Sequence, residues 1–451
     1  MTTPSHSHSH SHRAGTVQGG RRPGGMPGGT PHQVGAEPPA PDGGGTGPRS
    51  NIRHQDHRNQ PFYPLPRPTG HPPFRLALAD ILPQETMQAI EQSGRMTFHV
   101  VGDTGGVKSP EAQQIVAMHM EADFQPPDPV ETPPDAPATT ADPFVAPAFF
   151  YHLGDVVYYN GETKEYFHQF YEPYLLYPAP ILGIPGNHDG APIDATETSL
   201  AAFVTNFCAP VAEPTPESNE SRRNAMTQPH VYWTLETPFM TVIGLYTNVP
   251  EGGRLDENQR GWLRSELEAA DANKFLVIAS HHPIFSADDH HSGSAYMLDL
   301  LNEACQRSNR TPHLVLTAHV HNYQRFLGPL NGKQVPFIVA GAGGYWHLHY
   351  LTKELRHGTP LPYTLPDSGA VLESFCDDRH GYLKMEVTKD AIKGQYFTVP
   401  RPQESWKAPA QLLDTFSIAM DGGVEAGPRS AGTPPPEPPR HGHNPAHPAV
   451  R

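Results

Sequence analysis

Five short apolar runs in this chain each break off in a polar turn bearing glycine or proline. They are MTFHVVGD (Met96 to Asp103), FFYHLGD (Phe149 to Asp155), ILGIPGNHD (Ile181 to Asp189), FLVIASHHP (Phe275 to Pro283) and LVLTAHVH (Leu314 to His321). Runs of this length, rich in Val, Ile, Leu and Phe, predict buried strands. Each delivers its polar residues at the strand's C-terminal end, where the loops of α/β folds assemble their sites.

Between these strands the period changes. Leu255 to Ala270 carries Trp262, Leu263 and Leu267 at helical spacing behind Asp256, a residue suited to the N-cap, and Ala295 to Arg307 reads the same way. PHVYWTLETPFMTVIGLYTN and YLKMEVTKDAIKGQYFTV predict hairpins, the second turning near Lys389 and Asp390. Polar insertions at 125–143, 212–228 and about 352–367 are rich in Pro, Glu and Thr and predict loops. The order fits an α/β fold: a sandwich of two mixed β-sheets flanked by helices, in four layers α-β-β-α.

Composition narrows the folded part. The 53 prolines and 41 glycines gather at the two ends. Residues 1–75 and 421–451 hold too little apolar surface to offset the entropy of ordering, so both are expected to be disordered tails around a catalytic domain at 76–420. The SHSHSHSH repeat in the first tail could bind metal but has no fixed geometry, and it is left out of the site. A net charge of −15, from 47 acidic and 32 basic residues without a basic stripe, argues against general nucleic-acid binding. Cys208, Cys305 and Cys376 are odd in number and dissimilar in context, so reduced thiols are expected. No signal-peptide core or membrane-spanning stretch is visible in the sequence, which points to a cytoplasmic protein without membrane attachment.

The turns that end the five strands carry the chemistry. They read GDTG from Gly102, GDVVY from Gly154, GNHD from Gly186, ASHHP from Ala279, and AHVH from Ala318. An Asp after a glycine is usually just a turn residue. Five turns in one chain, each offering a metal-binding donor, point instead to a two-metal hydrolase. His319 and His321, two apart on a chain taken as extended, would share a face and reach one site.

These blocks resemble those of the calcineurin-like metallophosphoesterases, and within them the purple acid phosphatases. That family's GDxG, GDxxY, GNH-Asp/Glu, VxxH and GHxH stand here in order, with Ile278 in place of Val and Ala318 in place of Gly. The resemblance spans about Phe98 to Val399. Most of the wider superfamily opens with Asp-x-His, whereas Gly105 offers no ligand, and Tyr158 matches the tyrosine that replaces the histidine in the purple phosphatases. The resemblance implies two metal ions. Asp103, Asp155, Tyr158 and His321 would hold metal 1 as ferric iron, for which a phenolate is a suitably hard donor. Asp155, Asn187, His281 and His319 would hold metal 2 as Fe(II), Zn(II) or Mn(II), with Asp155 bridging through its two oxygens.

The implied activity is hydrolysis of small phosphomonoesters by a metal-bound hydroxide. His188 matches the family's phosphate-contacting histidine, and His290 or His291 would protonate the leaving group. His282 is expected to be structural, and Tyr323 and Arg325 are expected to shape the cleft without chemistry. A phosphodiesterase or nucleotide hydrolase on the same metal core is the alternative within enzymes. A scaffold or metal-binding protein acting through its tails, whose partners are unknown, is the alternative outside them.

Overall fold

The computed structural model describes residues 54–55, 62–126, 144–191, 198–356 and 360–427. Residues 1–53, 56–61 and 428–451 of the two predicted tails, which include the His-Ser repeat, and most of the 125–143 insertion lie outside the described residues. Two sheets make up the body. One has nine strands in the order β13 (Tyr363–Thr364), β14 (Val371–Cys376), β11 (Tyr323–Leu330), β12 (Lys333–Ala340), β10 (Leu314–Thr317), β8 (Phe275–Ala279), β7 (Met240–Gly244), β6 (Trp233–Glu236) and β2 (Arg75–Ala77). The other has seven, in the order β18 (Val424–Ala426), β17 (Gln411–Ala419), β16 (Ala391–Thr398), β15 (Gly381–Thr388), β3 (Arg95–Val101), β4 (Pro147–His152) and β5 (Ile181–Gly183). A two-residue pairing of β1 (His54–Gln55) with β9 (Gly293–Ser294) stands apart.

Both sheets are mixed, as the sequence pattern predicted. β3, β4 and β5 run parallel, as do β12, β10, β8 and β7, while the predicted hairpins form β6–β7 and β15–β16 as antiparallel pairs. The central strands β7, β8 and β10 are buried along their whole length, which is why their sequences lack alternation. Alternate residues serve different layers. Phe275, Val277 and Ala279 join a core shared with Phe98 and Met385 of the other sheet, whereas Leu276 and Ile278 pack on Leu263, Leu267 and Leu301 of the helices outside. Those helices are α1 (Glu257–Ala269) and α2 (Ala295–Ser308), close to the predicted spans, and the Asp256 side chain caps α1 by accepting from the Gln259 amide at 2.7 Å.

Two expected boundaries move. Residues 62–75, assigned to the N-terminal tail on composition, reach into the body. The Tyr63 amide donates to Asn248, Phe74 is buried, and Arg75 opens β2 on the edge of the larger sheet. At the other end β18 pairs with β17 beyond the expected limit at 420. Proline-rich sequence can lie in place when a sheet edge supplies the partners that the segment itself lacks.

Tyr323 and Arg325 also have a different job from the one expected. They do not shape the cleft. Arg325 is buried and donates to both Asp414 oxygens (2.7 and 3.1 Å) and to Glu373, and the Tyr323 hydroxyl donates to Asp414 at 2.8 Å. Asp414 lies on β17 and Arg325 on β11, so the cluster clamps one sheet to the other. Among the described residues no helix is long and apolar enough to cross a membrane.

Candidate metal centre

All five polar turns meet at one end of the sandwich, where the C-terminal edges of β3, β4 and β5 face those of β8 and β10. The turns are tight. Asp103, Asp155 and His319 take left-handed backbone angles (φ 54°, 53° and 67°), a conformation that costs a non-glycine residue energy and that clusters at functional sites. This overturns the extended His-x-His expectation. β10 stops at Thr317, and the left-handed turn at His319 breaks the alternation, so the two rings reach different parts of the site.

One group gathers around Tyr158. Its hydroxyl donates to Asp103 Oδ1 at 3.1 Å and lies 3.2 Å from His321 Nε2, which is itself 3.5 Å from Asp103 Oδ1. Burial, reinforced by the Asp103 charge, raises the Tyr158 phenol well above its ordinary range. A second group gathers around Asn187. Its Oδ1 lies 3.0 Å from both His281 Nε2 and His319 Nδ1, and His281 Nε2 lies 3.3 Å from Asp155 Oδ2. Asp155, His281 and His319 form one of three clusters of potential ligand atoms among the described residues.

The donor set fits a cation. Asp155 Oδ2 is buried without a hydrogen-bond partner, and it stands beside the Asn187 oxygen and imidazole nitrogens, all electron-rich. Such a convergence is costly unless something positive sits within it. In the metal-free chain a proton takes that part. Burial alone would lower the His281 pKa, but the charges of Asp155 and Asp103 outweigh it and lift the ring to about 9. Asp155 Oδ1 accepts from the His188 amide at 2.9 Å, while Oδ2 lies beside His281 Nε2.

The calcineurin-like phosphoesterase family model matches residues 96–323, a span that contains both groups. The chain belongs to this family. As a calcineurin-like phosphoesterase it is a metal-dependent phosphoester hydrolase. Comparison with curated proteins returns no match. Among solved structures this phosphoesterase is similar to GAP50, the anchor in the inner membrane complex of Plasmodium, with 14% identity over 71% of this chain and 87% of that one (TM-score 0.47). It is also similar to PhoD, with 14% identity over 74% of this chain and 72% of that one (TM-score 0.44). A third is a putative 5'-nucleotidase from Staphylococcus aureus, with 12% identity over 72% of this chain and 54% of that one (TM-score 0.33).

Around the two groups the phosphoesterase arranges the other predicted residues unequally. The His188 ring lies 4.5 Å from that of Tyr158, with its Nδ1 2.8 Å from the Tyr159 carbonyl. The His291 ring packs 4.3 Å from His319. His290 stays at the rim, its side chain half exposed and paired with Asp289. His282 is buried, with Nδ1 2.6 Å from the Thr247 hydroxyl and its ring 4.4 Å from that of His319.

Several contributors escaped the sequence reading. Asp189 of GNHD accepts from the amides of Val156, Val157 and Gly186 (3.1, 3.1 and 2.8 Å), knitting two turns together. The run after β12, GAGGYWHLHY, closes over the Tyr158 group. The Tyr345 amide donates to the Asp103 carbonyl, and its ring packs 4.3 Å from Tyr158 and 4.4 Å from His321. A Cβ at Gly341 would stand 2.1 Å from the Val320 carbonyl oxygen, so the close approach needs glycine. Five aromatic or histidine residues within six positions behind a glycine run were the available signal. Glu251, at hydrogen-bond distance from His291, had none.

Proposed function

We propose that this phosphoesterase is a purple acid phosphatase-like enzyme with a dinuclear centre that hydrolyses small phosphomonoesters. Asp103, Asp155, Tyr158 and His321 would surround ferric iron, and Asp155, Asn187, His281 and His319 a divalent Fe, Zn or Mn ion. The observation that carries the reading is the Tyr158 hydroxyl, within 3.2 Å of both Asp103 and His321 in a place where Gly105 supplies no side chain. A buried phenol next to a carboxylate gives up its proton only to a strongly charged cation, and a phenolate is a hard donor suited to trivalent iron.

Two bound cations would lower the pKa of a water and neutralise the phosphate oxygens. The chain's own residues bind and orient the ester. His188, with Nδ1 committed to the Tyr159 carbonyl, keeps Nε2 for a phosphate oxygen. His291, with Nδ1 on Glu251, keeps Nε2 as the proton donor to the departing alkoxide. The left-handed backbone at Asp103, Asp155 and His319 pre-sets this geometry, so little reorganisation is needed at the moment of reaction.

The purified full chain loaded with iron should show a visible tyrosinate-to-iron band that disappears in Tyr158→Phe, and should cleave monoesters faster than diesters. A colourless, fully active protein holding only zinc or manganese would sink the iron assignment and leave the hydrolase. Preference for diesters across a substrate panel would favour the phosphodiesterase alternative.

A further inference from the structure

Each histidine of the two groups turns one ring nitrogen inward and the other away. The outward Nδ1 of His281 lies 2.8 Å from the Leu153 carbonyl, and the outward Nδ1 of His321 lies 3.1 Å from that of His347. A carbonyl only accepts, so both rings are fixed with Nδ1 protonated and Nε2 left for a cation. His319 is reversed. Its Nδ1 faces inward, 3.0 Å from Asn187 Oδ1, and its Nε2 points away, buried and without a hydrogen bond.

That outward Nε2 lies 3.6 Å from Glu251 Oε2, within ion-pair range and just beyond a hydrogen bond. The other Glu251 oxygen, Oε1, pairs with His291 Nδ1. One carboxylate thus faces two imidazoles that are themselves packed 4.3 Å apart. Glu251 is mostly buried, its side chain 17% exposed, and it sits on a turn closed by the Arg254 amide donating to the Thr247 carbonyl at 2.8 Å. Thr247 in turn holds His282. The turn sets where the Glu251 side chain starts, and the pairing with His291 holds its carboxylate.

We infer that Glu251 is a positioning residue for the second-metal half of the site: through Oε2 it orients His319 with Nδ1 toward the cation, and through Oε1 it holds His291 against the same ring. The inference rests on the dinuclear reading above. A carboxylate on the outer nitrogen of a metal-binding imidazole fixes its tautomer and raises its basicity, and losing such a partner weakens metal binding by about 10- to 100-fold. His281 and His321 rely on neutral carbonyls. His319 alone of the three has a charged group facing its outer nitrogen, so removing that charge should loosen one ion and spare the other.

The test uses the full chain loaded with Zn(II) and dialysed against graded chelator, with bound zinc counted per chain for wild type, Glu251→Ala and Glu251→Gln. Wild type is expected to hold two ions. Glu251→Ala should release one of them at about 10- to 100-fold lower chelator and keep the other unchanged. Glu251→Gln, which retains an acceptor oxygen without the charge, should fall between, and the metal-free variants should melt as wild type does. Equal retention of both ions in Glu251→Ala overturns the inference, as does joint loss of both ions with a lower melting temperature, which would mark a merely structural role. A third ion in wild type that Glu251→Ala loses would also overturn it, by making Glu251 a ligand. A wild-type chain that binds one ion or none would instead overturn the dinuclear reading itself.

Discussion

A Cβ placed on Gly105 would stand 2.7 Å from Cδ2 of Tyr158 and 2.6 Å from Oε1 of Gln169. The tyrosine ring fills the volume beside Gly105, so a larger residue there and Tyr158 in its present place exclude one another. Gln169 locks the arrangement, accepting from the Tyr158 amide and donating to its carbonyl, both at 2.9 Å. Gly105→Ala is therefore expected to cost about 1–3 kcal/mol through overpacking and to displace the phenol. Thermal melting together with the visible spectrum of the iron-loaded protein checks this, and an unchanged band with an unchanged melting temperature would refute it.

His291 and His290 are adjacent in sequence and unequal in place. His291→Ala should lower kcat by about 10²- to 10⁴-fold on alkyl phosphates, the range for loss of a general acid, and by much less on esters whose leaving group needs no proton. His290→Ala, at the half-exposed rim, should stay close to wild type. Steady-state kinetics on the two ester classes separates the variants, and equal losses in both would contradict the assignment.

The Arg325 clamp holds the sheets and not the substrate. Arg325→Met leaves Asp414 buried without its cation and is expected to destabilise by about 3–5 kcal/mol. Bound metal per folded chain should not change. Denaturant unfolding and metal analysis report the two effects separately, and loss of metal without loss of stability would return Arg325 to the cleft.

Metal removal has a pH signature. In the metal-free chain the His281 pKa is lifted from its ordinary 6.5 to about 9, so its proton stabilises the folded state fully below pH 6.5, and that contribution is lost as pH rises through 9. A cation must expel this proton, so affinity should rise with pH up to about 9 and binding should release protons. Calorimetric titration with zinc in buffers of different ionisation heats measures that release. Affinity that falls over the same range would contradict it.

The strands and hairpins were legible because their signals are local. FLVIA is apolar at every position and LVLT at all but its last because parallel central strands are buried on both faces, and the Asp256 cap could be read from one residue and its successors. The same holds for the ligand types, since each metal-binding side chain sits within a few residues of a strand end. The tail boundaries misled because composition registers what a segment can bury alone, and β2 and β18 are held by strands already in place.

What the sequence by itself determined was the set of parts: five strand ends bearing Asp, Asn, Tyr and His, and the pairing of an empty Gly105 with Tyr158. Tertiary structure decided which nitrogen and which oxygen each part presents. Asp155 presents Oδ2 to His281, while Oδ1 accepts from the amide of His188. The division of His319 and His321 that the resemblance implied has its backbone cause in a left-handed turn at His319, which ends the alternation of an extended chain. Glu251 joined His319 from a turn with no motif, because ion-pair partners are set by distance in space, and sequence spacing across separate turns carries no record of it.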